Sequence, residues 1–162
     1  DVILIPEIPY DIEKVASLIE ARKRKGRTFS IVAVAEGAIS KDDKILSEEE
    51  RRKKKDANPH STISYAIAAR LQRLTAPEAR VTVPGHSQRG GPASPYDRVL
   101  ATRFGTAAAR MIMNREYGYM VGVVGDEIVK VPLDEAASRT KFLPVDHPLI
   151  QTARDTSTSF GD

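Results

Sequence analysis

Arg80-Val81-Thr82-Val83-Pro84-Gly85-His86-Ser87-Gln88-Arg89-Gly90-Gly91, followed at once by Ser94-Pro95-Tyr96-Asp97, is the stretch on which the reading of this chain turns. Residues 80–84 are rich in β-branched side chains, which predicts a strand. The loop that follows carries one imidazole and one guanidinium between glycines, whose backbone N–H groups can approach a ligand closely. Ser94 with Pro95 and Asp97 then predicts a helix start. Strand, loop and helix in that order make one unit of an α/β fold, and polar groups where such a strand ends usually face a ligand crevice. The groups suit an anion, a phosphate above all. Arginine offers a planar fork of donors, and histidine a donor that becomes charged near neutral pH.

Outward from this loop the organisation stays α/β. Residues 2–5 are an apolar run of strand length. Asp11 predicts a cap for a helix over about 12–25, with Ile12, Val15, Leu18 and Ile19 on one stripe and Gly26 as its stop. Phe29–Ala35 is a second unbroken apolar run, the pattern of a strand buried on both faces, and it ends abruptly in Glu36-Gly37. A charged helix and a second helical stretch over 61–74 follow. The longest helix is predicted over 95–114, with Leu100, Phe104, Ala107 and Met111 on its apolar stripe. Residues 119–124 and 127–131 read as a hairpin around Gly125-Asp126, with Asp126 able to adopt the turn. The last segment, 134–162, carries short helical pieces and a Ser/Thr-rich tail. No internal repeat is visible.

Composition bounds the function. The 162 residues are 41% hydrophobic and 29% charged, ordinary for a globular protein with a proper core. No apolar run reaches the ~18 residues a membrane span needs. The opening Asp1-Val2-Ile3-Leu4-Ile5-Pro6-Glu7 reads as a strand entered midway, so the chain is expected to be a piece of something longer. Without cysteine there are no disulfides or thiolate metal sites, which fits a cytoplasmic location. The net charge of +3 is not concentrated with aromatics on one face, so neither nucleic acid nor a membrane is an expected partner. Lys41–Asp56 mixes 7 basic with 6 acidic residues. Glu48/Arg52, Glu49/Lys53 and Glu50/Lys54 fall at i,i+4 spacing, each pair worth about 0.2–0.5 kcal/mol on an exposed helix. That block reads as a solvated face.

A carboxylate at Glu36, after a buried strand, would share the sheet's carboxyl edge with His86 and Arg89. Arg80 begins its own strand, and spacing alone leaves it unplaced. A sugar phosphate would use this mixture: cations for the phosphate, and a carboxylate to accept hydrogen bonds from hydroxyls. Charge-assisted bonds contribute about 1.5–3 kcal/mol each. The plainer readings stand beside this one. A Glu after a strand is more often a solvated turn residue, a single loop His is usually structural, and Arg89 could pair with Asp97. His60 and His147 show no ligand spacing with His86 and read as incidental. Neither a G-x-x-x-x-G-K-[ST] nucleotide cradle nor a G-x-S-x-G nucleophile elbow occurs.

Gly85-His86-Ser87-Gln88-Arg89-Gly90-Gly91 with Tyr96-Asp97-Arg98-Val99-Leu100-Ala101-Thr102-Arg103-Phe104-Gly105 strongly resembles the C-terminal half of 6-phosphofructokinases. Leu4-Ile5-Pro6-Glu7, Val32–Gly37, Asp146–Ile150 and Ser159–Asp162 carry the resemblance over essentially the whole chain. Only the charged stretch near 40–62 matches poorly, and it reads as a variable insertion. The resemblance implies a three-layer sheet-and-helix α/β architecture, present only as its C-terminal part. Residues 1–88 would belong to the sugar-phosphate lobe, 89–140 would return to the donor lobe, and 141–162 would form the C-terminal tail. It further implies fructose 6-phosphate binding by Glu36, Arg80, His86, Ser87, Gln88 and Arg89, with Arg80 reaching across a subunit boundary. Ser87 and Pro84 stand where larger aliphatics are common, which should alter loop packing more than charge.

The same resemblance puts the glycine-rich donor loops, the catalytic aspartate and the magnesium-binding acid upstream of residue 1. The fragment alone is therefore expected to be inactive. Its missing N-terminal half, fructose 6-phosphate and further copies in a dimer or tetramer are the expected partners, with Mg and either ATP or pyrophosphate as donor. Lys25 and Arg27 match positions that bind an effector nucleotide in some bacterial members. A basic helix end is also simply favourable against the helix dipole. The alternative from another class is a non-catalytic sugar-phosphate sensing or assembly module that kept the pocket.

Overall fold

A computed structural model describes residues 1–57, 62–138 and 140–162, with Lys55 by its backbone only. The chain divides into two compact units, one formed by Asp1–Val83 with Phe142–Asp162, the other by Pro84–Lys141. The architecture is α/β.

In the first unit, β1 (Val2–Leu4) pairs in parallel with β2 (Val32–Val34), in register Val2↔Val32, Ile3↔Ala33 and Leu4↔Val34. The other edge of β1 is taken by the chain's own end: Ile3 N–H donates to the Ser159 carbonyl, and Ser159 N–H to that of Asp1. β1 is thus flanked on both sides, and Val2 and Leu4 are buried at its centre. Helix α1 (Ile12–Arg24) lays Ile12, Val15, Ala16 and Ile19 into this core, with Leu18 half-buried at its margin, as the apolar stripe predicts. The Asp11 carboxylate accepts from the N–H groups of Glu13 and Lys14, satisfying two of the helix's orphan donors. At the other end Gly26, with φ 81°, lets Arg27 N–H return to the Arg22 carbonyl in a Schellman closure. Helix α4 (Ile63–Leu74) adds Ile67 and Leu71 to the same core. The predicted start of that helix at 61 lies outside the described residues, as does His60.

Two strand expectations are corrected. The run Phe29–Ala35 forms only three residues of ladder, and Phe29 and Ile31 are exposed rather than buried on both faces. A β-strand buries both faces only where other layers cover them, and the described residues supply none at 29 and 31. Residues 80–84 form no strand, because no described backbone pairs with 80–83 and Pro84 is already helical, at φ -66° and ψ -25°. β-propensity prepares a segment for a ladder without providing its partner.

The charged segment folds as two short helices, α2 (Lys41–Lys44) and α3 (Glu48–Asp56). Of the three anticipated pairs, Glu49–Lys53 forms, at 2.9 Å. Glu50 instead accepts from the N–H and hydroxyl of Ser47, closing a capping box, and Lys54 reaches Asp43 on α2. No ion pair joins Glu48 to Arg52 among the described residues. An unsatisfied helix N-terminus outcompetes an exposed ion pair worth a few tenths of a kcal/mol.

The C-terminal helix α7 (Pro148–Asp155) is capped by His147, whose Nδ1 accepts from Leu149 N–H at 3.2 Å, so this histidine has a structural task. Ile150 and Phe160 close a second small core with Ile8. Arg154 spans the carboxylate of Asp162 at 3.2 and 2.6 Å, and its guanidinium lies 5.2 Å from the centroid of the Phe160 ring. This hydrogen bonding holds the Asp162 carboxyl below its ordinary range despite partial desolvation. A carboxyl depressed in the folded state stabilises above its unfolded pKa, and that contribution is lost as pH falls through the folded value. We expect the melting temperature of the native chain to fall more steeply than that of Asp162→Asn below roughly pH 4. Parallel pH profiles would remove this role for the pair.

In the second unit, the turn Gly85–Arg89 leads into α5 (Pro95–Met113), followed by β3 (Tyr119–Val124), β4 (Glu127–Pro132) and α6 (Leu133–Ala137). Ser94 and Asp97 cap each other's backbone reciprocally at the start of α5, as Ser94-Pro95-Tyr96-Asp97 predicts. Met111 is buried, and Leu100, Phe104 and Ala107 are half-buried on one stripe. β3 and β4 form the anticipated antiparallel hairpin, from Tyr119↔Pro132 to Val124↔Glu127. Its turn is the anticipated Gly125-Asp126, with Gly125 at φ 59° in the first loop position. That is the glycine placement of a type II′ hairpin.

Candidate functional site

The loop quoted at the outset is a single 3₁₀ turn, Gly85–Arg89, bracketed by Gly85 at φ 53° and Gly91 at φ 111°. Both values lie in the left-handed region, which glycine enters without a Cβ penalty. The Pro84 carbonyl accepts from both Ser87 N–H and the Ser87 hydroxyl, and Gly90 N–H donates to the Ser87 carbonyl at 3.2 Å. His86, Gln88 and Arg89 are exposed, and none of their side chains has a hydrogen-bond partner among the described residues. The pairing of Arg89 with Asp97 does not form, because Asp97 accepts from the backbone and hydroxyl of Ser94. The turn therefore presents three uncommitted polar side chains, with donors suited to an anion.

Glu36 and Arg80 belong to the first unit. Glu36 lies just past β2 and is exposed, in the turn where Ala38 N–H bonds back to the Ala35 carbonyl. Arg80 is exposed, with Glu78 its nearest acid at 3.6 Å, a surface pair that contributes at most about 1 kcal/mol. Glu20 accepts from Ala76 N–H at 3.0 Å and ties the segment after α4 to α1. Lys25 and Arg27 sit at the Schellman end of α1, both exposed and adjacent to Arg22, Lys23 and Arg24. Arg22 is committed to Asp1 at 2.7 Å and to the Ser30 hydroxyl.

A cleft of about 550 Å³ opens between α5 and the hairpin, a feature sequence reasoning missed. Ala107, Met111, Val121 and Ile128 line it together with Arg103, Arg110 and Lys130. None of the anticipated site residues does. Lys130 is paired with Glu116 at 2.5 Å, and Arg103 donates to the Asp126 carbonyl. The described residues contain no cluster of three or more His, Asp or Glu arranged to hold a metal. No described helix is long and apolar enough to cross a membrane.

The Phosphofructokinase family model matches residues 1–112, and the chain belongs to the phosphofructokinase family. An ATP-dependent 6-phosphofructokinase of Spirochaeta thermophila is 51% identical over 162 residues, all of this chain and 44% of that protein. Another, from Propionibacterium freudenreichii subsp. shermanii, is 39% identical over all of this chain and 48% of its own length. Among solved structures, phosphofructokinase from Saccharomyces cerevisiae superimposes with a TM-score of 0.52 at 25% identity, over 96% of this chain and 19% of that one. The chain thus spans less than half the length of these relatives, and its α/β fold is that of phosphofructokinase structures.

Proposed function

We propose that this chain is the fructose 6-phosphate-binding, C-terminal part of an ATP-dependent 6-phosphofructokinase. The observation that carries the reading is the turn at 85–89, whose three uncommitted polar side chains sit in a chain similar along its whole length to ATP-dependent 6-phosphofructokinases. In this reading Arg89 and His86 take the substrate phosphate, Gln88 completes the loop's polar face, and Glu36 accepts from sugar hydroxyls. Arg80 adds a second guanidinium from a neighbouring subunit of a homo-oligomer. Residues 1–88 serve the acceptor lobe, 89–140 return to the donor lobe, and 141–162 close the chain against the first.

The relatives' description favours ATP over pyrophosphate as donor. Magnesium, the donor loops and the base then belong to an N-terminal part of the protein, which would also cover Tyr96, Val99, Ile112 and Met113, all exposed on α5 here. Phosphoryl transfer depends on aligned donor, metal and acceptor. The 162 residues alone are accordingly expected to show no turnover, while the full-length protein phosphorylates fructose 6-phosphate with ATP and Mg²⁺. A full-length protein that binds fructose 6-phosphate without turnover would overturn the kinase reading and leave a sensing or assembly module. Lys25 and Arg27 are the candidate contacts for an anionic effector. Replacing both with Gln should abolish any nucleotide activation of the full-length enzyme, and unchanged activation would clear them of that role.

A further inference from the structure

Within the turn at 85–89 the polar side chains divide into two groups. His86, Gln88 and Arg89 are unbonded and exposed, whereas Ser87 is tied back into the backbone. Its hydroxyl donates to the Pro84 carbonyl, the same acceptor that its own N–H reaches at 3.1 Å, and its carbonyl receives Gly90 N–H at 3.2 Å. Ser87 therefore has its hydroxyl, its N–H and its carbonyl all engaged within this turn.

The surroundings make that closure consequential. Gly85 and Gly91, both left-handed, give the segment wide conformational freedom at each end, and none of residues 85–91 is buried. No packing holds the turn in place. A hydroxyl whose proton is committed to a carbonyl cannot donate to a phosphate oxygen at the same time. From this geometry we infer that Ser87 is a positioning residue for the fructose 6-phosphate site, closing the 3₁₀ turn so that Arg89 and its neighbours present their donors in one arrangement. The inference rests on the reading above, and it removes Ser87 from the set of direct phosphate contacts.

A ligand that needs several donors at once is bound more weakly by a turn that samples many shapes, since ordering the turn is then charged against binding. The chemical step, carried by other groups, should be untouched. The experiment uses the full-length enzyme with fructose 6-phosphate as the varied substrate, comparing Ser87→Ala, Ser87→Thr, Arg89→Ala and the double variant of Ser87→Ala with Arg89→Ala. Loss of one neutral hydrogen bond corresponds to a rise in KM of about fivefold for Ser87→Ala, with kcat within about twofold. Ser87→Thr, which keeps the hydroxyl, should restore KM to within about twofold of the parent, by the same hydrogen bond. If Ser87 acts through Arg89, the double variant is no worse than Arg89→Ala alone, because residues working through one another give non-additive effects. Additive losses would show a direct, independent phosphate contact and overturn the inference, as would an unchanged KM in Ser87→Ala. An unchanged KM in Arg89→Ala is a separate failure, which removes the site reading itself.

Discussion

Arg89→Ala in the full-length protein is expected to raise the KM for fructose 6-phosphate by about a hundredfold, the equivalent of one bidentate charge-assisted contact. Arg89 is exposed at the end of the turn, has no acid partner among the described residues, and is followed by two glycines that keep bulk away from it. Its guanidinium therefore gives up little when an anion arrives, apart from water. A lysine there would restore the charge but not the planar fork, so Arg89→Lys should recover only part of the loss. The kcat of Arg89→Ala should fall much less than KM rises if the residue binds the phosphate equally in ground and transition states. A KM within twofold of the parent would show that the loop is structural.

Gly161→Ala is the second large effect, and it concerns stability. Gly161 lies at φ 73°, and its carbonyl accepts the backbone N–H of Asp11 at 2.7 Å. A Cβ built there would stand 2.9 Å from a methyl of Val15, 3.1 Å from the Cβ of Tyr10 and 3.3 Å from a methyl of Leu4. Val15 and Leu4 are fully buried and have nowhere to move. Left-handed strain of about 1–2 kcal/mol and overpacking of about 1–3 kcal/mol then act together. A total near 3 kcal/mol lowers the melting midpoint by roughly 10 °C in a chain of this size. Gly26→Ala is the matched control, since Gly26 is also left-handed, at φ 81°, but meets no atom within 4 Å. It should lose only the strain. Equal losses in the two variants would show that the C-terminal residues yield rather than pack.

The elements that could be read from the sequence are those whose signal is local. The cap at Asp11, the stop at Gly26, the box at Ser94 and Asp97 and the stripe Leu100–Phe104–Ala107–Met111 each depend on residues within a few positions of one another, and all are present. The hairpin was legible for the same reason, with Gly125-Asp126 as its turn. The failures share a different cause. Residues 80–83 carry strand propensity without a partner, and Phe29 and Ile31 are apolar without a cover. Pairing and burial are properties of neighbours, and the chain spans under half the length of the relatives it matches. The Lys54–Asp43 contact escaped for a related reason: it depends on how α2 and α3 fold back, which i,i+4 spacing cannot express.

The candidate site divides along the same line. Its proposed membership rests on two sources: residue types and the glycine frame of the loop suggest Glu36, His86 and Arg89, and the resemblance to 6-phosphofructokinases adds Arg80, Ser87 and Gln88. What each loop side chain is free to do was decided only by the folded turn. The sequence presents Ser87 as one more polar residue between His86 and Gln88. The turn commits its hydroxyl to the Pro84 carbonyl and leaves its neighbours unbonded, because a hydrogen bond depends on where the backbone places a carbonyl, and composition does not record that.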